Sequence, residues 1–148
     1  MPAASDPSLP RTWRPLGTRI AGIGGGVLLM VFCGALWFLL SADIRDQFTL
    51  LQRITLVLMG VGIWVAIWAL ARARATATEA GLTVVNGYRT REFAWAQVIA
   101  IHLPPGAPWA TLDLADGETC AVMALQASDG DRAKAGVREL RRLIDRTP

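Results

Sequence analysis

Residues 20–40 read IAGIGGGVLLMVFCGALWFLL, from Ile20 to Leu40, with no charged side chain among them. As a helix rising about 1.5 Å per residue, this stretch reaches roughly 31 Å, the thickness of a bilayer's hydrocarbon core. A second apolar run follows at about Leu50–Leu70, uncharged from Ile54 onward. The pair predicts a transmembrane helical hairpin over residues 19–71, and everything after it must work beside a membrane. Neither run carries an acidic, basic or histidine side chain at depth, which argues against a proton relay or ion pathway within this chain.

Composition supports the division. Mean hydropathy is +0.37 and 53% of residues are hydrophobic, with the excess concentrated before residue 71. The formal net charge is only +3. From residue 71 onward ten basic side chains face nine acidic ones, so a nucleic-acid partner is not expected. The two cysteines, Cys33 and Cys120, fall in different regions and predict no disulfide.

Arg11, Arg14 and Arg19 precede the first span, and Arg72 and Arg74 follow the second. The loop Ser41–Arg53 holds only Arg45 and Arg53, together with Asp43 and Asp46. The positive-inside rule therefore places both termini in the cytoplasm of a multi-pass cell-membrane protein. The apolar core of the first span exceeds the 7–15 residues of a signal peptide, so the span is expected to be retained. Residues 1–18, with Pro2, Pro7, Pro10 and Pro15, have few apolar side chains and read as disordered.

The glycines of the spans suit helix contact. Gly22 and Gly26 make a small-xxx-small face, and Gly60 and Gly62 give the second span its own points of close approach. The contact is either within the hairpin or with another membrane protein. The run from Gly22 to Gly26 is not a nucleotide-binding loop, because no strand precedes it and Val27 occupies the third glycine position.

Beyond Arg74 the pattern changes to short strands. Leu82–Val85 and Tyr88–Phe93 flank Asn86-Gly87, which predicts a hairpin whose loop is Asn86-Gly87. Ile99–Leu103, Trp109–Leu114 and Thr119–Leu125 continue an antiparallel meander, with Asp116-Gly117 as a further turn. Asp129 or Asp131 can cap a final helix running to about Arg146, whose apolar stripe is Ala133, Val137, Leu140 and Ile144.

The residues Glu79–Val84, Asn86–Arg91 and Phe93–Val98, with the Trp95–Val98 corner and the later Asp116-Gly117 turn, resemble the compact bacterial pleckstrin-homology (PH) domains. The likeness is to those of actinobacterial two-span membrane proteins in particular, including the low-molecular-weight protein antigen 6 group. It covers roughly residues 20–146 and implies a small α+β PH-like domain over residues 74–146, closed by its C-terminal helix. The polar tail is short for seven strands, so one strand is either missing or supplied by Arg74–Glu79.

No catalytic constellation emerges. His102 is the only histidine, and neither a pairing with Cys120 nor a metal-ligand spacing is supported, so no enzyme, metal or cofactor is expected. What remains is binding. Arg72 and Arg74 near the membrane, with Arg89 and Arg91 on one face of a strand, form the candidate contact for anionic lipid or a partner. The leading reading is a non-enzymatic scaffold or accessory subunit with a membrane-protein partner. The alternative is a module that binds the membrane lipids themselves.

Overall fold

The computed structural model describes residues 9–146. It divides into two compact units: Thr18–Ala71, and a second made from the residues up to Gly17 together with those from Arg72 onward.

The first unit is a helical hairpin. Helix α1 spans Leu16–Leu39, α2 spans Ala42–Asp46 and α3 spans Leu50–Ala71. The two long helices are long and apolar enough to cross a membrane, and their side chains are almost wholly unburied. Beside three of the four candidate glycines a side chain of the facing helix comes close. A Cβ at Gly22 would touch Ile67, and one at Gly26 would meet Ile67 at 2.5 Å and Trp64 at 3.1 Å. Gly60 faces Met30, whereas Gly62 has nothing within 4 Å. The connecting loop holds α2, which hydropathy gave no reason to expect. Arg53 organises it, donating to the Phe48 and Arg45 carbonyls at 3.1 and 2.7 Å and stacking over Trp37. Thr49 and Gln52 exchange hydrogen bonds across the start of α3, a capping box that satisfies two otherwise orphaned N–H groups.

Among the described residues, the second unit has seven strands and one α-helix beyond the start of α1. Sheet one runs β1(Arg11–Trp13)-β2(Arg74–Ala77)-β3(Gly81–Asn86)-β4(Arg89–Ala94), antiparallel throughout. Sheet two runs β5(Val98–His102)-β6(Trp109–Leu114)-β7(Thr119–Gln126). Helix α4, Asp131–Arg146, turns Ala133, Gly136, Val137, Leu140, Leu143 and Ile144 to the core. They meet alternate residues of both sheets, among them Leu82, Val84, Ile101, Leu112 and Val122, all at most 1% exposed. A short helical turn at Trp95–Gln97 joins the sheets, and the Trp95 indole donates to the Thr78 carbonyl at 2.9 Å. Arg141 donates to the Ile101 carbonyl, covering part of the β5 edge.

The expectation of disorder before the first span is wrong from Arg11 onward. Arg11–Trp13 is strand β1, paired with β2 in the register Arg11↔Ala77, Thr12↔Thr76, Trp13↔Ala75. Residues 1–8 lie outside the described residues. The low apolar content of this segment hid one large contribution. The Trp13 side chain is 9% exposed and belongs to the core, and its Nε1 donates to Glu139 at 3.1 Å. The other Glu139 oxygen pairs with Arg11 at 3.0 Å. Gly136 makes room for the indole, since a Cβ there would sit 3.0 Å from Trp13 and 2.6 Å from Leu125. Asp129 serves a different helix from the one expected: its carboxylate accepts the Leu16 and Gly17 N–H groups at 3.0 and 2.8 Å.

A strand before the hairpin and a strand after it are therefore neighbours in one sheet. The hairpin is an insertion between β1 and β2, with Arg14 and Pro15 joining β1 to α1, and Arg72 and Ala73 joining α3 to β2. Trp13→Ala should lower the stability of this domain by about 3–5 kcal/mol, the usual cost of emptying a large aromatic site. Trp13→Phe, which keeps most of the volume but removes the indole donor and leaves Glu139 with Arg11 alone, should cost only about 1–2 kcal/mol. Denaturant melts of the full chain in detergent, followed on the domain, would measure both. A domain indifferent to Trp13→Ala would show that β1 is not part of its core.

Candidate functional site

The β3–β4 hairpin decides where the arginines go. Asn86 pairs with Arg89, so the two-residue loop is Gly87-Tyr88 rather than Asn86-Gly87. Gly87 takes φ 62° and no non-glycine residue has positive φ among the described residues, the pattern of a turn with glycine first. This one-residue difference frees the Asn86 side chain for another task. Its Nδ2 donates to the Ala121 carbonyl at 2.6 Å, and its Oδ1 accepts from the Met123 N–H at 3.0 Å. Asn86 thus joins β3 to β7 where the two sheets would otherwise part.

Arg72, Arg74 and Arg89 lie at the end of sheet one from which the chain runs into the hairpin, Arg74 and Arg89 on opposite faces by strand alternation. Arg74 pairs with Val85, one position from the Asn86–Arg89 pair that closes the turn. Tyr88, 59% exposed, lies at the tip, and the Arg72 guanidinium stacks over its ring at 5.6 Å. None of these three arginines has an ion-pair partner among the described residues. Arg91 shares the Arg89 face by strand alternation but belongs elsewhere. It pairs with Glu118 at 3.2 Å and stacks over Phe93 at 5.1 Å. Of the four arginines singled out together in the sequence, three lie at one end of sheet one and the fourth, Arg91, is paired with Glu118.

Beside Arg91 the two sheets splay into a cleft of about 580 Å³, lined by Arg91, Glu92, Phe93, Gln97, Leu114, Ala115 and Asp116. Phe93 and Leu114 are buried, while Glu92 and Asp116 are exposed. Nothing in the sequence announced this cleft, because its walls come from β4 and from the β6–β7 turn.

His102 and Cys120 fall on opposite faces of sheet two. His102 pairs with Thr111 and Thr111 with Ala121, while Cys120 pairs with the fully buried Leu112. His102 instead lies 3.3 Å from Asp113, both partly exposed. Burial pushes the Cys120 thiol up, against a weaker opposing pull from Arg91. A buried, protonated thiol is a poor nucleophile. Among the described residues no group of three or more His, Cys, Asp or Glu side chains could hold a metal ion.

Seven antiparallel strands in two sheets closed by a C-terminal helix define a PH-like domain, and the comparisons agree. Residues 72–143 match the family described as Bacterial PH domain. The chain is 38% identical over 127 residues to Uncharacterized protein Rv1417 of Mycobacterium tuberculosis and to Uncharacterized protein Mb1452 of Mycobacterium bovis. Each alignment covers 86% of this chain and 76% of the relative. This chain belongs to the bacterial PH-domain family, in a form that carries two apolar helices ahead of the matched region. No solved structure matches it significantly.

The Cys120 environment has a testable sign. Its proton is held more tightly in the folded than in the unfolded chain. Its contribution to stability is therefore complete below the unfolded thiol value, about 8.5, and is lost as pH rises through the folded value. Denaturant melts from pH 7 to 10 should show wild type losing more stability than Cys120→Ala over the alkaline range. Parallel curves would contradict the burial of this thiol.

Proposed function

We propose that this protein is a non-enzymatic, membrane-anchored interaction module. Its hairpin holds a cytoplasmic PH-like domain at the inner surface of the cell membrane, where the domain engages a membrane-protein partner as an accessory or scaffold subunit. The observation that carries this reading is the β1–β2 pairing across the hairpin. The hairpin is inserted between two strands that pair within the domain, so both of its ends lead into the same fold. A hairpin whose two ends enter one domain also has both ends on one side of a membrane, and the arginine excess at those ends favours the cytoplasmic side. The open cleft and the absence of a thiol–imidazole pair suit recognition better than chemistry. Purification of the tagged full-length chain in a mild detergent should yield a stoichiometric complex larger than the chain itself. Recovery of the lone chain from native membranes would contradict the partner reading.

A second reading, contact with anionic lipid headgroups, is favoured by Arg72, Arg74 and Arg89 at one end of sheet one, which have no ion-pair partner among the described residues. Each arginine near such a surface contributes about 1 kcal/mol, weakened by salt. In nanodiscs, anionic lipid should slow hydrogen exchange at the Gly87-Tyr88 turn of the full-length protein relative to neutral lipid. Replacing the three arginines by alanine, or adding salt, should remove the difference. Equal exchange in both lipids would exclude this reading.

A further inference from the structure

We propose that the open edge of β4 is a docking site for an extended, basic segment of a partner protein, which adds as a fifth strand to sheet one. The proposal rests on the interaction-module reading and names its surface. β4 is the outer strand of its sheet, because the chain leaves it through the Trp95–Gln97 turn to begin the second sheet. A two-residue loop makes Asn86 and Arg89 a hydrogen-bonded pair, and alternation extends this to Val84↔Arg91 and Leu82↔Phe93. Thr90, Glu92 and Ala94 must then direct their N–H and C=O groups away from β3. The Ala94 N–H bears this out, since it donates to the Gln97 side chain at 2.9 Å. Gln97 so closes one end of the edge and leaves Thr90 and Glu92 open beside the cleft.

The cleft states the chemistry of the occupant. Its buried floor, Phe93 and Leu114, accepts an apolar side chain. Arg91 is neutralised by Glu118, while Glu92 and Asp116 have no cationic partner among the described residues. A strand added here would place one side chain opposite Glu92 and its neighbours over the floor, so apolar–basic–apolar in extended form is the complementary pattern. A second copy of this chain fits poorly. Two-fold pairing of β4 about residue 90 sets Arg89 against Arg91, about residue 91 it sets Arg91 against itself, and about residue 92 it does the same to Glu92. Like charges directly opposite one another are destabilising in each register.

The test uses the full-length protein in detergent and the capped peptide Ser-Val-Lys-Val-Lys-Val-Ser, with a glutamate-for-lysine analogue as control. The lysine peptide should slow amide exchange at Thr90 and Glu92 by about tenfold, and the control should not. The double variant Glu92→Lys/Asp116→Lys, checked by its melt to be folded, should reverse the preference between the two peptides. Equal binding of both peptides, or protection of some other edge, would overturn the proposal. So would a partner recovered at wild-type yield with the folded double variant, which would leave the interaction-module reading standing and remove only this site.

Discussion

The structure depends on one short ladder, three residues long, between β1 and β2. Arg11, Thr12 and Trp13 lie before the apolar helices, and their partners Ala77, Thr76 and Ala75 lie after them. Three residues of edge strand would be marginal by their backbone bonds alone. The side chains make the difference. Trp13 enters the core, and a single carboxylate, Glu139, receives both its indole N–H and the Arg11 guanidinium. The helix carrying Glu139 accommodates the indole with a glycine, Gly136, in its interior. Glycine there costs the helix about 1 kcal/mol relative to alanine, a cost that close packing of the indole offsets.

From that ladder the architecture follows. With β1 in place, sheet one has four strands and sheet two has three, and α4 finds apolar residues from both against its inner stripe. The sheets diverge after β4, and three side chains manage the divergence. Asn86 bridges β3 to β7, Arg141 covers β5, and Gln97 ties off β4. What remains unmanaged is the stretch of β4 beside the cleft. Arg72, Arg74 and Arg89 occupy a different place, the end of the sheet contiguous with the hairpin connections. Arginine at that end and an open, acid-rimmed edge elsewhere give the domain two chemically opposite surfaces.

Much of this fold was legible because its signals are local. The two spans announce themselves by length and absence of charge, and the stripe Ala133, Val137, Leu140, Ile144 has helical spacing. Ala110, Leu112 and Leu114 alternate with polar residues, the local pattern of a strand with one buried face, and β6 buries those three. The rest was hidden where long-range contact overrides local preference. Nothing near Trp13 indicates that its partners are more than sixty residues away, and its proline-rich surroundings favour the opposite reading. The Asn86-Gly87 pair correctly signalled a hairpin, yet the loop lies one residue further on, and Asn86 sits in β3 with its side chain bridging to β7. The arginines were visible as residues, but their division depended on Glu118, which only the β6–β7 turn brings to Arg91. The cleft had no sequence signature at all.

The most direct measurement is a cysteine cross-link across the ladder. In a chain whose own cysteines are replaced by alanine, Thr12→Cys and Thr76→Cys would stand directly opposite one another, where the native hydroxyls are 3.2 Å apart. Mild oxidation in native membranes should close an intrachain disulfide between them, and a control pair of Thr12→Cys with Glu118→Cys should stay open. Failure of the Thr12–Thr76 pair to close under conditions that oxidise exposed thiols would contradict the account, because the segment before the hairpin would then not belong to the domain after it.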